Sequence, residues 1–154
     1  MLAAGMGVTT GCSRGLRLPE FSYTLLDGSP ANSRSLAGQV LVVNFWATSC
    51  APCVQEMPAF VDTYRRYHDR GFQTLAVAAS YDPPALVSRF AERHALPFSV
   101  VIDNTGAIAR AFDDVSVTPT TFLIDRRGTI VLRREGAADF TALHARIEEL
   151  LAQT

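Results

Sequence analysis

The chain has 154 residues, 48% of them hydrophobic and 19% charged, enough for one domain burying about 70% of its unfolded surface around a single core. Its longest apolar runs are too short to cross a bilayer, and fourteen basic against fifteen acidic residues leave a formal charge of -1. These charges are scattered, which argues against nucleic acid or an anionic lipid surface as a partner. Every basic residue is arginine, so a thiolate here can be stabilised only by backbone N–H groups, an arginine or a histidine.

Residues 1–17 read as a leader and linker, and residues 18–154 as the folded domain. The opening "MLAAGMGVTTGCSRG" resembles the end of a secretory signal, although its first basic residue is Arg14, where a complete signal would begin with a basic segment. Within it, "TTGC" resembles a bacterial lipoprotein cleavage site whose cysteine, Cys12, becomes the lipidated first residue, with Thr9 in place of the usual leucine. The other reading is a leader carrying a stray cysteine. Lipidation would account for the thiol left over when Cys50 pairs with Cys53.

From Leu18 to Ser35 two short apolar segments flank a Gly-Ser-Pro turn and predict a hairpin. Gln39 to Ala47, "QVLVVNFWA", is a continuous apolar run, the pattern of a strand buried on both faces. Ala51 to Asp69 predicts a helix that tolerates Pro52 in its first turn and is kinked by Pro58. Phe72 to Ser80 is a second buried strand, after which Asp82 reads as the cap, and Pro83 as the opening, of a helix running to about His94. "FSVVID" and "TGAIARAF" add a strand and a short helix, Thr120 to Arg134 a hairpin turning at Arg126 to Gly128, and Asp139 to about Ala152 a final helix. The order implies a mixed α/β sheet covered by helices on both faces. Ligands of such sheets bind beyond the strands' carboxyl ends, where Cys50 falls.

Cys50 precedes the first helix, where free N–H groups and the helix dipole favour an anion, so its thiolate forms near neutral pH and can attack a disulfide. Cys53, one turn on and facing inward, is placed to resolve the mixed disulfide. The alternatives are a purely structural disulfide and half of a zinc site, the latter short of two further ligands. His68, His94 and His144 fall near helix ends or on exposed faces and read as structural.

The segment "NFWATSCAPCVQEMPAF" resembles the active-site stretch of the TlpA/ResA-like branch of the thioredoxin superfamily. The likeness extends from Pro19 onward, through "DGSPANSRSLAGQVLVVNFW", an additional βα unit after the second core strand, and "VTPTTFLIDRRGTIV". The resemblance implies a thioredoxin-like mixed sheet sandwiched by helices, with an N-terminal hairpin and an extra βα unit. It implies Cys50 and Cys53 as the redox pair, Trp46 as aromatic support beneath it, Pro119 as a cis-proline facing the disulfide, and Thr118 as a source of backbone groups for an extended substrate, with Trp46, Thr118 and Pro119 together as the substrate-binding residues. Ser49 departs from the tryptophan usual before the first cysteine, leaving a smaller, more polar surface there. Asn44 stands where cytosolic thioredoxins bury an aspartate, and Glu56 resembles the glutamate that replaces it in this branch. Glu56 is three residues beyond Cys53 on the same helical face, where it could accept the resolving thiol's proton. Its bland reading is an acid that complements the helix dipole.

The expected activity is therefore an extracytoplasmic thiol:disulfide oxidoreductase with no cofactor beyond its own redox-active disulfide and no metal. Alanine and proline between the cysteines add little thiolate stabilisation, which favours a reductase over an oxidant. The resemblance implies protein disulfide substrates, apocytochrome c among them, a membrane thiol-electron donor, and a place in the bacterial periplasm or cell envelope, with Cys12 as the lipid anchor. Two other readings are a peroxiredoxin-like thiol peroxidase and a Cu(I)-binding thiol module. The peroxidase reading lacks the threonine and proline of such chains, whose positions hold Ala47 and Val43.

Overall fold

A computed structural model describes residues 16–153, so Cys12 and the leader expected over residues 1–17 lie largely outside the described residues, which begin at Leu16. The hairpin is present as β1 (Ser22–Thr24) and β2 (Pro30–Asn32), paired antiparallel. Its turn passes through Gly28 at φ 86°, a left-handed conformation that a side chain would resist. There follow β3 (Val40–Trp46), α1 (Ala51–Tyr67), β4 (Phe72–Ala78), α2 (Pro84–Arg93), β5 (Ser99–Ile102), α3 (Ala107–Ala111), β6 (Thr120–Ile124), β7 (Ile130–Glu135) and α4 (Phe140–Ala152). The five strands after the hairpin form one mixed sheet in the order β5-β4-β3-β6-β7. β3 is central, parallel to β4 from Val40↔Phe72 to Trp46↔Ala78 and antiparallel to β6 from Leu41↔Ile124 to Phe45↔Thr120.

All seven residues of β3 are buried, because both faces of the sheet are covered. Val40, Val42 and Trp46 pack with Met57 and Phe60 of α1 and Leu143 and Ile147 of α4. Leu41, Val43 and Phe45 face the other way, against Tyr23 of the hairpin and Ile108 and Phe112 at α3. The period-2 alternation of a strand thus divides the core into two layers. Asn44 belongs by parity to the α1 layer.

Two local expectations shift. The first helix ends its α-helical run at Tyr67 rather than Asp69 and tightens into a 3-10 turn over His68–Arg70, closed by Gly71 at φ 87°. Pro58 sits inside α1 as expected, and its missing N–H leaves the Val54 carbonyl without the usual partner. Asp82 does not cap α2: the capping position belongs to Pro83, without a side-chain bond, and the helix starts at Pro84.

Candidate active site

The buried run of β3 ends at Trp46, and a tight turn, with the Cys50 N–H donating to the Ala47 carbonyl at 3.1 Å, delivers the chain to α1. Cys50 occupies the N-cap of that helix. Its sulfur accepts the Cys53 N–H at 3.3 Å, so one otherwise unpaired donor of the first turn already points at Sγ. Pro52 contributes no N–H. The two cysteines are joined in a disulfide with Cα atoms 5.2 Å apart. They are not equivalent: Cys50 is partly exposed, whereas Cys53 is fully buried in the α1 layer.

One turn beyond Cys53, Glu56 is also buried, at 8% exposure. Its Oε2 accepts the Ala138 N–H at 3.0 Å, a contact across 82 residues that ties the segment before α4 to the redox helix. Its Oε1 has no hydrogen-bond partner among the described residues. Burial pushes the Glu56 carboxyl above its ordinary value, opposed by the Ala138 N–H and by the nearby Asn44 amide. That amide donates to Thr121 Oγ1 at 3.2 Å, across the β3–β6 pair. A dipole-complementing surface acid would show neither this burial nor the raised carboxyl.

The Thr118–Pro119 bond is cis, as the resemblance implied. Thr120, the next residue, pairs with Phe45, which puts Pro119 at the same end of the sheet as the turn that carries Cys50. Thr118 is partly exposed, and its hydroxyl lies 3.3 Å from that of Tyr81. Trp46, expected among the substrate-contacting residues, has no exposed surface and packs against Phe90 with ring centroids 5.1 Å apart. It can support the site from beneath but touches no substrate in this conformation.

Sequence reasoning overlooked the turn after β4. Tyr81 is 65% exposed beside Thr118, with Val117 exposed nearby. Asp82 is buried and accepts both the N–H and the hydroxyl of Thr48, at 2.6 and 2.5 Å. The local sequence "ASYDPPA" gives no sign of a partner 34 residues earlier. The histidines are peripheral, though His144 is half-buried rather than exposed: its Nε2 lies 2.8 Å from Thr63 Oγ1, which itself donates to the Ala59 carbonyl. The Thr63 hydroxyl proton is thus committed, so the Nε2 carries the proton of the contact. Burial holds the His144 imidazole below its usual value.

A sulfur with a backbone donor aimed at it, joined to a buried second sulfur, suits thiol–disulfide exchange. With a cis-proline just before β6, at the same end of a mixed sheet, this defines a thioredoxin-like thiol–disulfide oxidoreductase. Residues 13–150 match the Redoxin family, and the chain belongs to it, among ResA-like enzymes. It is 37% identical over 121 residues to the thiol-disulfide oxidoreductase ResA of Geobacillus kaustophilus (strain HTA426), covering 79% of this chain and 68% of that protein. A solution structure of a Neisseria meningitidis protein assigned as a thioredoxin superposes with TM-score 0.82 at 36% identity, over 89% of this chain and 91% of the other. A thiol:disulfide interchange protein of the thioredoxin family from Chlorobium tepidum TLS also reaches TM-score 0.82, at 28% identity over 91% of this chain and 99% of its own.

Proposed function

We propose that the protein is an extracytoplasmic thiol:disulfide reductase in which Cys50 attacks and Cys53 resolves. The Cys50 thiolate displaces one sulfur of a substrate disulfide, giving a mixed disulfide and a substrate thiolate that takes a proton from water. Glu56 then accepts the Cys53 proton, and Cys53 attacks the Cys50 sulfur. That step breaks the mixed disulfide, releases the second substrate thiolate, and leaves the Cys50–Cys53 disulfide. Two electrons have passed to the substrate, and a membrane dithiol donor returns them. Thr118 and Pro119 border the substrate at the edge of the site, where the proline's missing N–H leaves neighbouring backbone groups for an extended segment. No other cofactor takes part.

The observation that carries this reading is the asymmetry of the pair, a partly exposed sulfur at a helix N-cap and a fully buried one beside a buried carboxylate. The direction is argued from chemistry: one backbone donor at Cys50, an Ala-Pro insert and no lysine stabilise the thiolate only modestly, and a weakly stabilised thiolate makes a weak oxidant. Likeness to ResA and to a thiol:disulfide interchange protein supports protein disulfides as substrates, and cytochrome c cysteine pairs fit as one such class. The same likeness supports a periplasmic or cell-envelope location, and the lipoprotein-like "TTGC" stretch supports Cys12 as a lipid attachment point. Equilibration with a reference dithiol is expected to give a potential nearer thioredoxin's about -270 mV than DsbA's about -120 mV. A value near the latter would reverse the proposed direction.

A further inference from the structure

Two turns stand side by side at the carboxyl ends of the adjacent strands β3 and β4. In the first, the Cys50 N–H closes on the Ala47 carbonyl at 3.1 Å, with Thr48 and Ser49 at its centre; in the second, the Asp82 N–H closes on the Ala79 carbonyl at 2.9 Å. The Asp82 side chain links them. Its Oδ2 accepts the Thr48 N–H at 2.6 Å and its Oδ1 the Thr48 hydroxyl at 2.5 Å. The residue is 2% exposed, and both carboxylate oxygens are committed to one partner two residues before Cys50.

A cap for α2 would explain an aspartate here, but Pro83 takes that position and α2 makes no side-chain cap bond. A buried carboxylate costs more than a neutral group of similar shape, so its use on an exposed-end turn calls for a reason. The Ala47–Cys50 turn contains no proline to stiffen it, and it is the direct covalent link between the end of β3 and the reacting sulfur. We propose that Asp82 is a positioning residue of the redox site, clamping Thr48 so that the Ala47–Cys50 turn presents the Cys50 sulfur in one orientation. The inference rests on Cys50 being the attacking sulfur.

The clamp carries an electrostatic signature that packing alone would not. A fixed negative charge disfavours a nearby thiolate and so opposes the helix terminus that favours it. In the first two turns of α1 and in the turn after β4, the titratable groups are Cys53, Glu56, Tyr81 and Asp82. The β6 side brings Thr118 and Pro119, which do not titrate. Replacing Asp82 by asparagine keeps an oxygen for the Thr48 N–H and removes the charge.

The test uses the reduced full chain as wild type, Asp82→Asn, Thr48→Val and Thr48→Ser. Two quantities are measured: the pH dependence of iodoacetamide alkylation, with the modified cysteine identified by mass spectrometry, and kcat/KM for reduction of insulin disulfides. Loss of one clamp bond in Thr48→Val should lower kcat/KM about three- to tenfold, and Thr48→Ser, which keeps the hydroxyl, should restore it. Asp82→Asn should lower the Cys50 thiol pKa, while both Thr48 variants leave it in place. Wild-type turnover in Thr48→Val, or a Cys50 pKa in Asp82→Asn equal to or above that of the wild type, overturns the inference. Alkylation of Cys53 ahead of Cys50 in every protein is a different failure, that of the attacking-sulfur assignment itself. Thr48→Val alone decides the matter if Asp82→Asn does not fold.

Discussion

Glu56→Gln separates a working base from a buried acid that merely fills space. Glutamine keeps an oxygen for the Ala138 N–H, the 3.0 Å bond that Glu56 Oε2 now accepts, so the link between α1 and the segment before α4 survives. What disappears is the ionisable group one turn from the fully buried Cys53. General-base assistance is worth about 10²- to 10⁴-fold, and the mutant should lose a factor of that order in resolution while Cys50 attack is unaffected. Because burial raises the Glu56 carboxyl, the wild-type resolution rate should climb with pH through that raised value, and the mutant should lack this limb. The assay is a preformed mixed disulfide on Cys50, with release followed by stopped flow from pH 4 to 8. Stability gives a second readout. A carboxyl raised in the folded state favours folding fully below the unfolded value of about 4.3 and loses that contribution as pH rises through the folded value. Relative to wild type, Glu56→Gln should therefore gain stability as pH rises from 4 to 8. Superimposable rate profiles together with a flat stability difference would refute the assignment of Glu56 as the proton acceptor.

Tyr81→Ala should raise KM for a protein disulfide several-fold and leave the rate with a small aromatic disulfide nearly unchanged, because the exposed ring borders Thr118 at the site's edge. Equal losses with both substrates would place Tyr81 in the chemistry instead. The half-buried His144 imidazole, held below its usual value by burial, contributes stability above the unfolded value of about 6.5 and loses it as pH falls through the folded value. Urea midpoints should accordingly fall more steeply between pH 7.5 and 5 in wild type than in His144→Gln, and parallel lines would discount the histidine.

The parts of this molecule that sequence makes plain are those set by neighbours in the chain. The apolar run of β3, the glycine turn of the hairpin, Asp139 capping α4 through the Ala142 N–H, and the cysteine pair at the head of α1 all follow from local pattern. Family likeness added the cis bond at Pro119, which spacing alone does not choose. The misreadings lie where a side chain's partner is distant. Asp82 looks like a cap for the helix two residues on, yet its carboxylate reaches back to Thr48. The Ala138 contact of Glu56 and the Tyr81–Thr118 pair join segments that only the folded sheet brings together. Trp46 could have faced a substrate or the core, and strand parity against the packing of α1 and α2 decides for the core.

The central claim is the order of the two sulfurs. Reduced Cys53→Ser and Cys50→Ser proteins, each mixed with an oxidised protein substrate and quenched with acid, can be compared for the mixed disulfide they accumulate. Cys53→Ser should hold the substrate on Cys50 in high yield, because the attacking sulfur is intact and its resolving partner is gone. Cys50→Ser should trap almost none, since Cys53 is fully buried. Equal trapping by both, or trapping on Cys53 alone in proteins that remain folded, would contradict the account.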